Sequence, residues 1–138
     1  MSDPCTAPEP SSPEGITETA PPPAKAAEAR AVAAAFVAAL DPPPSPTAVQ
    51  DLLLLVSELV TNAVRHAGSV TALAFGADDK ALYVQVADPS PERPRRRVPD
   101  MTGAAGGFGW PLVLRLARNV TVRNHTGRGK IILATLAR

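Results

Sequence analysis

The feature that most constrains this chain is a polar stripe on an otherwise apolar helix, in the segment ELVTNAVRHAG at residues 58–68. Glu58, Asn62 and His66 are four residues apart, and each such step turns an α-helix by about 40°, so the three side chains follow one line. The other positions are mainly Val, Leu and Ala, which predicts a core helix. Polar groups there are costly unless a polar partner lies against them. A metal–phosphate complex would satisfy them, since a carboxylate can act as a base and an amide oxygen suits Mg²⁺.

Length and composition indicate one small domain. The chain has 138 residues, of which 45% are hydrophobic and 4% aromatic, so we expect a single core of Ala, Val and Leu. The net charge of +1 does not favour broad binding to nucleic acid. The single cysteine, Cys5, cannot form an internal disulfide, which fits a cytoplasmic protein. No apolar run approaches about 18 residues and the first residues lack a secretory signal, so we expect neither a membrane span nor export.

The sequence predicts a tail followed by one domain. Residues 1–23 concentrate Pro, Ser, Thr and Glu and are expected to be disordered, with at most an eroded short strand near residues 15–19. The domain is expected to span residues 24–138. Ser45 is a good N-cap for a helix that begins at Pro46.

Periodicity and turn residues predict the elements of the domain. Three helices are expected at residues 25–40, 46–67 and 109–118, and four strands at residues 70–75, 81–87, 119–123 and 130–136. The connection at residues 88–107 is long, and such loops are usually functional. The expected fold is a two-layer α+β sandwich, with helices on one face of a mixed, mostly antiparallel sheet.

Four segments resemble the motifs of one family, in the family's order. ELVTNAVRHA resembles the N-box of the GHKL (Bergerat-fold) ATPases, and most closely the branch of anti-sigma factor serine/threonine kinases. VADPS at residues 86–90 resembles the next box, in which an Asp ends a strand. GGFGWPLVLRLA at residues 106–117 is similar to the family's GRGLxLVxxLA. GRGKIILATL at residues 127–136 is similar to its terminal GGKTVWAEL.

The resemblance implies roles for individual residues. Glu58 would be the catalytic base, and Asn62 would be the ligand of Mg²⁺ in a complex with ATP. An ionised Asp88 would accept a hydrogen bond from the exocyclic amine of adenine, although a strand-end Asp before Pro can also cap a turn. Glycines before the third helix would bring backbone N–H groups to phosphate oxygens. The nucleotide-binding residues implied in this way are Asn62, His66, Asp88, Ser90, Gly107, Gly109 and Lys130.

Several neighbouring residues have a structural reading as well as a functional one. His66 either lies near the nucleotide or ends its helix, and Arg65 is more often a solvated charge than a phosphate ligand. Trp110 is expected in the core or as a packing point of the lid. Two positions depart from the family's pattern: Phe108 stands where the family usually has Arg, and Ile131 stands where it has Thr. Both favour weaker nucleotide binding, and the basic residues 95–97 either compensate or are solvated.

The resemblance implies a serine/threonine protein kinase that depends on ATP and Mg²⁺. It would phosphorylate an anti-sigma-factor antagonist and control a sigma factor by partner switching. The resemblance is also compatible with a homodimer of this chain. A non-catalytic or weakly ATP-binding interaction module is the alternative that Phe108 and Ile131 favour. A stand-alone ATP hydrolase fits the base and the metal ligand but not the branch resemblance. A histidine-kinase fragment is disfavoured, because no helix with a phosphoacceptor His precedes the domain.

Overall fold

The computed structural model describes residues 15–91, 109–125 and 129–138. Within them, three helices pack on a five-stranded sheet. The strand order is β1-β2-β3-β5-β4, and every neighbouring pair is antiparallel. The predicted two-layer α+β sandwich is confirmed, although the described part of the sheet is antiparallel rather than mixed. The elements are β1 (Ile16–Ala20), α1 (Ala26–Ala38), α2 (Pro46–Ala67), β2 (Ala72–Ala77), β3 (Ala81–Asp88), α3 (Gly109–Leu116), β4 (Asn119–His125) and β5 (Gly129–Ala137).

Helix α2 begins and ends where its sequence predicts. The Ser45 side chain accepts a hydrogen bond from the Ala48 N–H at 3.1 Å, and Pro46 occupies the first turn, where its missing N–H is not needed. Gly68 ends the helix with φ of 90°, a left-handed conformation that glycine adopts without steric penalty. These two local signals fix the span of the helix that carries the polar stripe.

The core lies between the helices and one face of the sheet. On β3, the buried residues alternate with half-buried ones, as expected for a strand with one face covered. Phe36 of α1 stacks on Phe75 of β2 with ring centroids 5.3 Å apart. The buried residues of α2 are Ala48, Leu52, Leu55, Val56, Leu59, Val60 and Ala63. Among the described helices, only α2 is long and apolar enough to cross a membrane, and a core helix passes the same test.

Strand β1 extends the domain into the segment that composition assigned to the tail. It pairs antiparallel with β2, with Thr19 opposite Ala74 and Ala20 opposite Leu73. The short strand indicated near residues 15–19 is therefore present, and the domain boundary predicted at residue 24 is too late. An edge strand needs only backbone pairing on one side, so the Pro-rich sequence around it does not prevent it. Residues 1–14 lie outside the described residues, and their disorder stays a prediction.

We expect Ser45→Ala to lower the free energy of unfolding by about 1 kcal/mol, because the Ala48 N–H loses its side-chain acceptor. Thr47→Ala, at an exposed position in the same helical turn, is the matched control and should change stability by less than about 0.5 kcal/mol. Urea denaturation of the full chain measures both. Equal effects of the two substitutions would contradict the capping role.

Candidate functional site

The polar stripe of α2 runs from the edge of the core to the surface. Glu58 and Asn62 are half-buried, whereas His66, in the last turn, is exposed. Leu59 and Ala63, the neighbours of the first two in sequence, are buried, so the backbone of this part of α2 is held by the core. The stripe therefore presents a carboxylate and an amide on a rigid support, one helical turn apart.

The N-terminus of α3 lies against these two side chains. Gly109 is the first residue of α3 and is buried. A Cβ atom at this position would lie 3.0 Å from Asn62 Oδ1 and 3.0 Å from Glu58 Oε2. The lack of a side chain thus allows the start of α3 to approach both polar groups. The first N–H groups of a helix have no intrahelical acceptor and favour anions, so a carboxylate, an amide and an anion-favouring helix end converge here.

Asn62 carries a buried donor that needs an acceptor. No atom of the described residues accepts a hydrogen bond from Asn62 Nδ2. Buried polar groups are nearly always hydrogen-bonded, so this amide indicates a ligand or water with acceptor oxygens. The described ranges contain no cluster of three or more His, Cys, Asp and Glu able to hold a metal ion.

A second polar group lies at the end of β3. Asp88 is 2% exposed, and its Oδ1 accepts hydrogen bonds from the Ser90 N–H at 2.9 Å and from Lys130 Nζ at 3.0 Å. Lys130 Nζ also lies 3.0 Å from Asp88 Oδ2 and donates to the Ser90 carbonyl at 3.3 Å. Asp88, Ser90 and Lys130, which the resemblance assigned to one site, are therefore in direct contact. Sequence reasoning did not anticipate that the lysine binds the aspartate itself.

Strand alternation places Lys130 rather than Ile131 on the face that carries Asp88. On β5, Lys130 shares the buried face with Ile132 and Ala134, and Ile131 points to the other side of the sheet. Asp88 and Lys130 are opposite each other in the β3–β5 register. Ile131, where the family usually has Thr, therefore lies on the opposite face of β5 from Lys130, and its effect on nucleotide binding stays a prediction.

Glycine at position 129 allows β5 to approach the end of β3. Gly129 has φ of 97°, and a Cβ atom there would lie 1.9 Å from the Asp88 carbonyl oxygen. Any other residue would push the two strands apart at this point. The close approach of the two strands holds Asp88 and Lys130 together.

The remaining predicted residues divide into three groups. Trp110 is half-buried and packs against the core, as predicted. Arg65 is exposed on α2. Gly107, Phe108 and the basic residues 95–97 lie outside the described residues, and their roles stay predictions.

Comparison with known families decides the class of this site. The sequence model of the histidine kinase-like ATPase domain family matches residues 19–136, from β1 into β5. The chain belongs to the histidine kinase-like ATPase domain family. No curated protein shows a significant match to this chain. Membership confirms the resemblance to GHKL-type ATPases and implies that this ATPase domain binds ATP.

The observed groups fit a metal–triphosphate. Asn62 would hold Mg²⁺ through its side-chain oxygen, and the backbone at Gly109 would donate to phosphate oxygens. Two observations support this assignment: Asn62 Nδ2 has no acceptor in the part of the chain that the structure describes, and a Cβ at Gly109 would fill the space beside Asn62 and Glu58.

Two glycine-to-alanine substitutions should separate site geometry from helix stability. We expect Gly109→Ala to weaken ATP binding about tenfold or more, because the new Cβ crowds Asn62 and Glu58, while thermal stability does not fall. We expect Gly68→Ala to destabilise the protein by about 1 kcal/mol, because its φ is positive, and to leave ATP affinity unchanged.

Calorimetric titration with ATP and thermal unfolding check this pair. A Gly109→Ala variant that binds ATP as tightly as the parent protein would contradict the assignment of the α3 N-terminus to the nucleotide site.

Proposed function

We propose that this histidine kinase-like ATPase domain is a serine/threonine protein kinase of the anti-sigma factor type. It would phosphorylate an anti-sigma-factor antagonist and control a sigma factor by partner switching. The convergence of Glu58, Asn62 and Gly109 supports this most, because it joins a base, a metal ligand and an anion-favouring helix end. In the same proposal the protein is cytoplasmic, is able to form a homodimer, and binds neither nucleic acid nor membrane directly.

The residues of this site have distinct tasks in phosphoryl transfer. ATP with Mg²⁺ supplies the phosphoryl group when bound. Glu58 accepts the proton of the Ser or Thr hydroxyl on the antagonist, which makes that oxygen a better nucleophile. Asn62 would hold the metal through its side-chain oxygen, and the start of α3 would stabilise negative charge on the phosphate oxygens. The burial of α2 keeps the carboxylate and the amide in a fixed relation, which lowers the cost of orientation.

A non-catalytic interaction module is the second candidate, and one observation favours it. Lys130 already occupies both oxygens of Asp88, the carboxylate that the resemblance assigns to adenine. A domain with reduced nucleotide affinity could regulate its partners by contact alone. The intact Glu58 and Asn62 favour the kinase.

We expect Glu58→Gln to lower phosphotransfer at least about 100-fold, because the amide keeps the shape of the carboxylate and loses its basicity. ATP affinity should change little, since Asn62 and Gly109 remain. Asp51→Asn is the matched control, a half-buried acid two turns earlier on α2, and should leave both quantities unchanged. Transfer of label from γ-labelled ATP to anti-sigma-factor antagonists of the source organism measures the rate.

Phosphotransfer that survives Glu58→Gln would contradict the assignment of Glu58 as the general base. Two results together would favour the interaction module: Glu58→Gln and Asn62→Ala both leave partner binding intact, and ATP does not alter that binding in the parent protein.

A further inference from the structure

Among the described residues, the Asp88–Lys130 ion pair is a buried charged group that the proposed transfer chemistry does not use. The two side chains are 2% and 6% exposed. Removing two charges from water is costly, so such a pair persists only with close contacts and additional hydrogen bonds. Both are present: Nζ is 3.0 Å from each carboxylate oxygen, and Ser90 contributes its N–H and its carbonyl oxygen.

The acceptor capacity of Asp88 is largely used within the chain. An ionised carboxylate offers about four acceptor positions on its two oxygens. The Ser90 N–H takes one of them, and the Lys130 ammonium lies at equal distance from both oxygens. An amino group of a nucleobase that approaches this carboxylate therefore meets a charged donor already in place. A neutral amine forms a weaker hydrogen bond to a carboxylate than an ammonium does.

We propose that Lys130 is a specificity-determining residue that competes with the nucleobase for Asp88. In this proposal the lysine lowers the affinity for ATP and weakens the preference for adenine over guanine. It rests on the proposed function in one respect, the assignment of Asp88 to the nucleobase.

The chemistry of the two side chains explains both effects. To reach Asp88, adenine has to displace the Lys130 ammonium. Among the described residues, the displaced ammonium keeps one contact, with the Ser90 carbonyl oxygen at 3.3 Å. Lys130 also brings donors to a site that the resemblance treats as an acceptor. These donors can bond to the keto oxygen of guanine, which the carboxylate by itself would disfavour. The site with Lys130 therefore excludes guanine less strongly than Asp88 would on its own.

A purely structural role predicts a different result. The pair joins the end of β3 to the start of β5, so its loss would lower stability whatever ligand is present. Stability alone therefore does not distinguish the two roles. The ratio of ATP affinity to GTP affinity does, because a strand-joining contact has no reason to change it.

The test is calorimetric titration of the full chain and of its Lys130→Thr variant with ATP and with GTP, in Mg²⁺. We expect the substitution to tighten ATP binding roughly 10- to 100-fold, the range of one hydrogen bond to a charged group, with a smaller change for GTP. Lys80→Thr, at an exposed lysine in the β2–β3 turn, is the control and should alter neither affinity. Adding Asp88→Asn to Lys130→Thr should remove the gain.

Each outcome decides the inference. An unchanged ratio, or weaker ATP binding by Lys130→Thr, would overturn it while leaving the proposed kinase in place if the parent protein binds ATP. If neither protein binds ATP, the proposed function fails and the inference fails with it.

A measurement on the unaltered chain tests the inference even where the Lys130→Thr variant does not fold. The protein has three lysines, and Lys25 and Lys80 are exposed. In ¹⁵N-lysine-labelled protein, we expect the Lys130 ammonium protons alone to exchange slowly with water. Saturation with ATP should remove this protection, because the base takes the place of the ammonium at Asp88. Protection that persists in the ATP complex would overturn the inference.

Discussion

The packing of α2 into the core is the constraint on which the site depends. Leu52, Leu55 and Val56 are fully buried, and burying one such side chain contributes about 1.5–3 kcal/mol, so rotating the helix would be costly. The packing of α2 therefore fixes the direction of the side chains in its next two turns. Glu58 and Asn62 consequently lie at the border of the core, half-buried and on a rigid backbone. Helix α3 packs on α2, and glycine at its first position lets the helix end meet these two side chains.

The sheet contributes the second part of the site through its register. Asp88 ends β3 and Lys130 stands opposite it on β5, both on the face that continues into the core. The two-residue period of a strand permits no intermediate position, so a polar residue here is either buried with a partner or turned to the outer face. The same rule places Ile131 on the outer face. The end of the site that the proposal assigns to the nucleobase thus holds the chain's own ion pair. At the end assigned to phosphate, Asn62 Nδ2 has no hydrogen-bond partner among the described residues.

Local signals made most of α2 predictable, whereas pairings distant in sequence were not. The Ser45 cap, Pro46 and Gly68 act within one turn, and the apolar spacing between them defines the buried face. The Asp88–Lys130 contact joins residues 42 apart in sequence, and its existence depends on a strand register that no local pattern encodes. Strand β1 was underestimated for a related reason. Its pairing with β2 comes from tertiary structure, and its Pro-rich surroundings argue against a strand.

We infer that the polar face of α2 and the start of α3 bind a metal–triphosphate. Calorimetric titration of the full chain with ATP, with Mg²⁺ and with a chelator in its place, tests it most directly. We expect ATP binding that Mg²⁺ strengthens markedly, because Asn62 would offer the ion an oxygen ligand beside the phosphates. ATP binding of equal strength without Mg²⁺, or no ATP binding at all, would contradict it.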